Sequence, residues 1–166
     1  MTLRAVSVSF LLLAAVLLPA YGADMKCACK ATGKAAGYLT NIDIHAVRAR
    51  AGADSIADCL NVPFPEWQEV SDRMAPVIED VNNLHRDLAR LEGMELNLTS
   101  DQAAQFERLK AGVGTLTLFV NNVNKMLQKK AIWPRRTGFL AQIDDIEARC
   151  DVIRRAADRI RVPDAA

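Results

Sequence analysis

The chain has 166 residues, of which 51% are hydrophobic and 5% aromatic, with 21 Lys and Arg against 20 Asp and Glu. This near-neutral charge argues against general binding to nucleic acid or to a charged surface. Because aromatic residues are scarce, a core must be built mainly from Leu, Ile, Val, Met and Ala.

The first 22 residues are typical of a secretory signal peptide. Arg4 is followed by an uncharged, largely apolar run over 5–18, and the small residues Ala20 and Gly22 fit a cleavage site after Gly22. The run is shorter than the roughly 20 apolar residues that cross a bilayer. We therefore predict export to the periplasm or the extracellular space, and a mature chain 23–166 that does not span a membrane.

Four cysteines remain in the mature chain. Cys27 and Cys29 lie in the stretch ADMKCACK, and Lys26 is neither small nor neutral, which argues against lipid attachment at Cys27. With Cys59 and Cys150 they form an even number in an exported chain, which favours two disulfides. A metal site is the rival interpretation, but the chain lacks a C-x-x-C spacing or a neighbouring histidine to support it.

The first helical stripe is short and rich in Ala. Its apolar positions are Leu39, Ile42, Ala46, Ala49, Ala53 and Ile56. An unbroken helix from about residue 37 to 60 would carry Cys59 about 35 Å from the two N-terminal cysteines, whereas a disulfide joins Cα atoms about 4.4–6.8 Å apart. We therefore predict a break near Gly52, with Cys59 and Cys150 each bonded to one N-terminal cysteine.

Three longer helices follow, each with apolar residues at alternating steps of three and four, as in a coiled-coil seam. These positions are Trp67, Val70, Met74, Val77, Val81, Leu84, Leu88 and Leu91; Phe106, Leu109, Val113, Leu116, Val120, Val123 and Leu127; and Phe139, Ile143, Ile146, Cys150, Ile153, Ala157 and Ile160. Pro63, Pro65, Gly93, Pro134 and Pro163 separate or end them. The sequence predicts an all-α, up-and-down bundle of three long antiparallel helices plus a shorter, broken N-terminal helical segment, stapled by disulfides.

Three residues interrupt this pattern. Pro76 lies inside the first long helix and should kink it. Gly112 and Gly114 weaken the middle of the second, unless a close backbone contact uses them. Either these residues are irregularities that a stable bundle tolerates, or they mark a bend or a ligand groove.

Residues 98–102, LTSDQ, place Thr99 three residues before Gln102, which predicts a helix N-terminus with a capping box. The same stretch resembles the LTxxQ motif of a family of periplasmic all-helical stress chaperones and metal-resistance sensors. That family commonly carries two copies, whereas the motif occurs once here, and the four cysteines are a further departure. The resemblance implies a periplasmic binding role.

The sequence carries no catalytic signature. His45 and His85 are the only histidines and both lie beside the apolar stripes, which favours solvated side chains over a metal or haem site. No nucleophile elbow or phosphate-binding loop is present. We therefore predict a non-enzymatic protein without cofactor or metal; His45 and His85 close together among carboxylates would indicate an enzyme instead.

A cationic turn between the second and third long helices is the predicted partner-binding site. It contains Lys129, Lys130, Trp133, Arg135 and Arg136. Anionic lipid headgroups, glycans or an acidic protein could dock there, although cations at a helix C-terminus are also favourable by themselves. The last helix is basic too, with Arg149, Arg154, Arg155, Arg159 and Arg161, but its acidic residues offset much of that charge.

These features favour a protein that binds another protein, as an envelope adaptor, chaperone, inhibitor or immunity-type factor. A carrier of lipid or of a small apolar ligand is the first alternative, and it predicts co-purifying lipid. A secreted helical signalling or effector protein is the second, and in a eukaryote it predicts a glycan on Asn97.

Overall fold

A computed structural model describes residues 33–63, 65–129 and 136–161, with the backbone alone at Arg136. These residues form four α-helices: α1 (Lys34–Leu60), α2 (Trp67–Glu92), α3 (Ser100–Gln128) and α4 (Arg136–Arg161). No strand occurs within these ranges. The predicted all-α class and the bundle are confirmed. No helix in the described ranges is both long and apolar enough to cross a membrane.

The helices pack in a ring. α1 lies against α2 and α4, and α4 also lies against α3, whereas α2 and α3 share the least extensive contact. Side-chain bonds fix the antiparallel order: the early residue Asp43 of α1 meets Arg154 of α4, and Gln102 at the start of α3 meets Ile160 near the end of α4.

The predicted stripes form the core. Nearly every position assigned to them is buried, from the Ala-rich stripe of α1 to Phe139 and Ile160 of α4. Two seam positions differ: Trp67 is 39% exposed because it begins α2 at the edge of the bundle, and Phe106 is partly buried. The three-and-four spacing therefore identified the interior with few errors.

The predicted break in the first helix is wrong. α1 runs without interruption for 27 residues, as long as its neighbours. At Gly52, where we expected a reversal, a Cβ would overlap Cγ2 of Val77. The missing side chain lets α2 approach the backbone of α1, and this contact offsets the roughly 1 kcal/mol that glycine costs in a helix.

The other irregular residues of the sequence have separate explanations. At Gly112, a Cβ would stand 3.0 Å from Cγ1 of Ile153, so this glycine marks the close approach of α3 and α4. At Gly114, a Cβ would meet no atom within 4 Å, so that glycine serves no contact within the described residues. α2 continues through Pro76, which lies on its exposed side and removes one backbone hydrogen bond from the helix.

The predicted capping box at the start of α3 is confirmed. The Thr99 hydroxyl accepts from the backbone N–H of Gln102 at 3.2 Å, and the Gln102 side chain accepts from the backbone N–H of Thr99 at 3.1 Å. Gln102 is buried, and its Nε2 also donates to the carbonyl of Ile160 at 2.9 Å. One side chain thus caps α3 and ties it to the end of α4.

Candidate functional site

The predicted cationic turn is largely outside the described residues. Lys129 is the exposed C-cap of α3. Lys130, Trp133 and Arg135 lie outside the described ranges, as does the side chain of Arg136 at the start of α4. A partner site at this turn therefore stays a prediction.

The two predicted disulfides are not supported. Cys27 and Cys29 lie outside the described residues, and Cys59 and Cys150 are buried thiols with no disulfide within the described residues. Because α1 is unbroken, Cys59 lies about 39 Å along the helix from Gly33, and six fully extended residues reach at most about 22 Å. Cys59 is therefore out of reach of both N-terminal cysteines in the same chain.

The surroundings of the two buried cysteines disfavour the thiolate form. Burial raises the pKa of Cys150 to about 12, and the nearby Asp151 carboxylate acts in the same direction. Burial also raises the pKa of Cys59, with the Glu69 carboxylate adding to the effect. Because the thiolate is the reactive form, neither position fits a reactive cysteine.

His45 is not a solvated side chain, contrary to the sequence-based expectation. Its Nδ1 lies 2.8 Å from Oδ1 of Asp80, and the two side chains are only 17% and 13% exposed. The pair joins α1 to α2. Asp80 lies 35 residues further along the chain, so no local spacing pointed to it. His85 is exposed, and no group of three potential metal ligands occurs within the described residues.

The outer side of α1 carries a second strip of exposed residues at helical spacing. Thr40, Ile44, Val47 and Ala51 are all exposed and follow one another at steps of four, three and four, the same spacing as the core stripes. The last three are apolar, whereas Thr40 is polar and its hydroxyl donates to the carbonyl of Ala36. Ile44 and Val47 are each 41% exposed. We call these four residues the outer seam of α1. Periodicity alone did not predict the outer seam, because the stronger core stripe dominates the pattern of the same helix.

Paired charges border the outer seam on the side of α4. Nη1 of Arg50 lies 2.9 Å from Oδ1 of Asp151, and Nε of Arg154 lies 3.2 Å from Oδ1 of Asp43. An apolar strip beside a charged rim has the anatomy of a protein–protein interface.

The other outer faces differ from that of α1. On α2, the position opposite the core is occupied by Glu79, among other charged residues. α3 has an exposed apolar strip of Ala111, Gly114 and Leu118, in which Leu118, 64% exposed, is the one large side chain. α1 combines two large exposed aliphatic side chains, Ile44 and Val47, with bordering ion pairs, which makes it the better candidate site.

Comparisons with protein families, with curated proteins and with solved structures found no match for this chain. The resemblance of residues 98–102 to the LTxxQ motif therefore remains local, and the geometry of Thr99 and Gln102 accounts for it as a helix cap.

Proposed function

We propose that this chain is an exported, non-enzymatic helical-bundle protein that binds another protein, and that the outer seam of α1 receives a helix of that partner. The observation that carries the proposal is the spacing of Thr40, Ile44, Val47 and Ala51. Apolar residues at steps of three and four are the pattern by which one helix packs on another.

The outer seam has the same spacing of three and four residues as the core stripe of α1. A surface helix normally has one apolar stripe and a polar opposite face. α1 instead has its core stripe towards α2 and α4 and a second strip, centred on Ile44 and Val47, on the opposite side. A partner helix on that strip would bury both side chains.

The expected interface is small. The seam covers three turns of helix, about 16 Å, so the contact would be of the transient class rather than that of a permanent oligomer. The signal-like N-terminus supports an exported setting, and the balanced charge of the chain is compatible with a partner chosen by shape and local ion pairs.

Site-specific photo-crosslinking in the exporting host tests the proposal. A crosslinker at position 44 should capture one protein partner, whereas a crosslinker at Glu79, outside α2, should not. With that partner purified, the double variant Ile44→Ser/Val47→Ser should bind at least tenfold more weakly, about 1.4 kcal/mol. The matched control Leu118→Ser, which alters the most exposed apolar side chain of α3, should bind normally.

Thermal unfolding of each variant separates lost binding from lost folding, since the altered side chains are already partly exposed. Equal crosslinking at positions 44 and 79 would contradict the proposal. So would native mass spectrometry of protein recovered from its own host compartment, if it finds a bare monomer at every concentration. A co-purifying lipid that the double variant releases would also contradict the proposal, and it would favour the carrier alternative.

A further inference from the structure

A second surface feature lies between α3 and α4, away from the outer seam of α1. It is a cleft of about 110 Å³ lined by Gln105, Arg108, Val152, Arg155, Ala156 and Arg159. We call it the arginine cleft. Its lining combines three exposed arginines with the apolar residues Val152 and Ala156.

The three arginines have no carboxylate partner among the described residues. Arg108, Arg155 and Arg159 form no ion pair within the described part of the chain. Acidic residues do occur close to these arginines in the sequence. Asp101, one turn before Gln105 on α3, also forms no ion pair with these arginines among the described residues.

The other acids near the arginine cleft are occupied elsewhere. Asp158 pairs with Arg161, and Glu107 with Lys110. Asp151 faces α1 and pairs with Arg50. The cleft therefore gathers three positive charges that its surroundings do not neutralise, in a chain whose formal net charge is only +1.

Uncompensated like charges repel, and a bound anion would remove that repulsion. Guanidinium groups bind phosphate and carboxylate oxygens through paired N–H donors. A phosphate monoester carries about −1.5 to −2 charges and three acceptor oxygens, which matches three arginines better than the single charge and two oxygens of a carboxylate.

The size of the cleft limits the ligand further. Sites for whole cofactors and drug-sized molecules occupy about 300–1,000 Å³, several times the volume here. We propose that the arginine cleft binds one phosphate group, with Arg108, Arg155 and Arg159 as its ligands and Val152 and Ala156 against the carbon atoms next to the ester. The group belongs either to a soluble phosphomonoester or to a lipid headgroup of the phosphomonoester type.

Titration of the mature protein with inorganic phosphate, followed by the arginine Nε–Hε signals in NMR spectra, tests the proposal. Saturable shifts are expected at Arg108, Arg155 and Arg159, with a Kd of about 1 mM or tighter at low salt. The variants Arg155→Gln and Arg159→Gln should each weaken binding about tenfold, and together abolish it. The matched control Arg48→Gln removes one exposed, unpaired charge from α1 and should leave the Kd within about twofold.

Two further arms identify the source of the phosphate. Cleft-dependent binding to vesicles that contain phosphatidic acid, but not to vesicles of phosphatidylcholine alone, assigns it to a lipid headgroup. Binding of glycerol 3-phosphate without vesicle binding assigns it to a soluble ester. Each of three results would overturn the proposal. Acetate could bind as tightly as phosphate, or the NMR shifts could fail to saturate at phosphate concentrations up to 20-fold above the expected Kd. Arg48→Gln could also weaken phosphate binding as much as the cleft variants do.

Discussion

Arg154 and Arg155 are adjacent in the sequence but lie on opposite edges of α4. Arg154 faces α1, where its Nε lies 3.2 Å from Oδ1 of Asp43. Its Nη1 lies 3.8 Å from Oδ1 of Asp151, one turn earlier on α4 itself. Arg155 faces α3 and lines the arginine cleft without an ion pair among the described residues. One edge is thus neutralised by charge pairing, and the other holds unpaired positive charge.

The difference shows how two contacts of one helix can be held together by different means. Both edges share apolar core packing. The edge towards α1 adds two ion pairs between the helices, among the described residues. The edge towards α3 adds the close approach at Gly112 and the buried hydrogen bond from Gln102 to Ile160. Since the arginine cleft contributes no attraction between α3 and α4, its charges are available to a ligand.

The largest expected effect concerns the edge towards α3. Gln102→Ala removes a buried hydrogen bond and half of the capping box, and leaves the carbonyl of Ile160 without its partner. We expect the free energy of unfolding to fall by about 2 kcal/mol, measured by urea denaturation. Gln105→Ala, the same change one turn along α3, is the control and should cost less than about 0.5 kcal/mol. Equal losses would mean that the buried bond does not hold this edge.

A smaller effect is expected at the two neighbouring arginines. Arg154→Gln should lower the free energy of unfolding by about 0.5–1 kcal/mol, and salt should diminish the loss because the pairs are partly exposed. Arg155→Gln is the matched control and should change it by less than about 0.5 kcal/mol, since it breaks no ion pair within the described residues. If Arg155→Gln cost as much as Arg154→Gln, the two edges would not differ in the way described.

The smallest effect concerns a carboxylate on the edge towards α1. Burial, together with the carboxylates of Asp54 and Asp144, raises the pKa of Glu147 above its ordinary value of 4.5, and Arg50 opposes them. The ionised Glu147 therefore lowers stability above the raised pKa, and the penalty disappears as the pH falls below the ordinary value. Glu147→Gln should thus stabilise the fold at pH 7 by a few tenths of a kcal/mol and have no effect near pH 3.

Denaturation of wild type and Glu147→Gln at both pH values measures this difference. Asp145→Asn, two residues earlier on α4, is the control and should not show the same pH-dependent gain. A variant less stable than the wild type at pH 7 would show that Glu147 is held by an attraction rather than opposed by its neighbours.

Local sequence signals determined most of the fold. The apolar steps of three and four located the core faces of all four helices, and Thr99 with Gln102 marked the start of α3. These signals work because helix periodicity and capping depend on residues within one or two turns of each other. The same spacing of three and four residues is present in the outer seam of α1, where the stronger core stripe obscures it.

The errors arose where a residue acts through a distant partner. Gly52 resembles a helix breaker when only its own segment is considered. Its role depends on Val77 of α2, whose side chain occupies the space that a Cβ at position 52 would need. A disulfide from Cys59 to the N-terminal segment would require a break in α1, and the unbroken helix places Cys59 out of reach of that segment. His45 and Asp80 are another such pair.

The sequence by itself determined that this chain forms long amphipathic helices and which side of each faces the core, because apolar burial follows the helical period. Only the tertiary structure decided which charges of α4 are neutralised. Arg154 and Arg155 have the same chemistry and adjacent positions, but the 100° turn between successive helical residues sends one towards Asp43 of α1 and the other towards α3. That division depends on which helix packs on each side of α4.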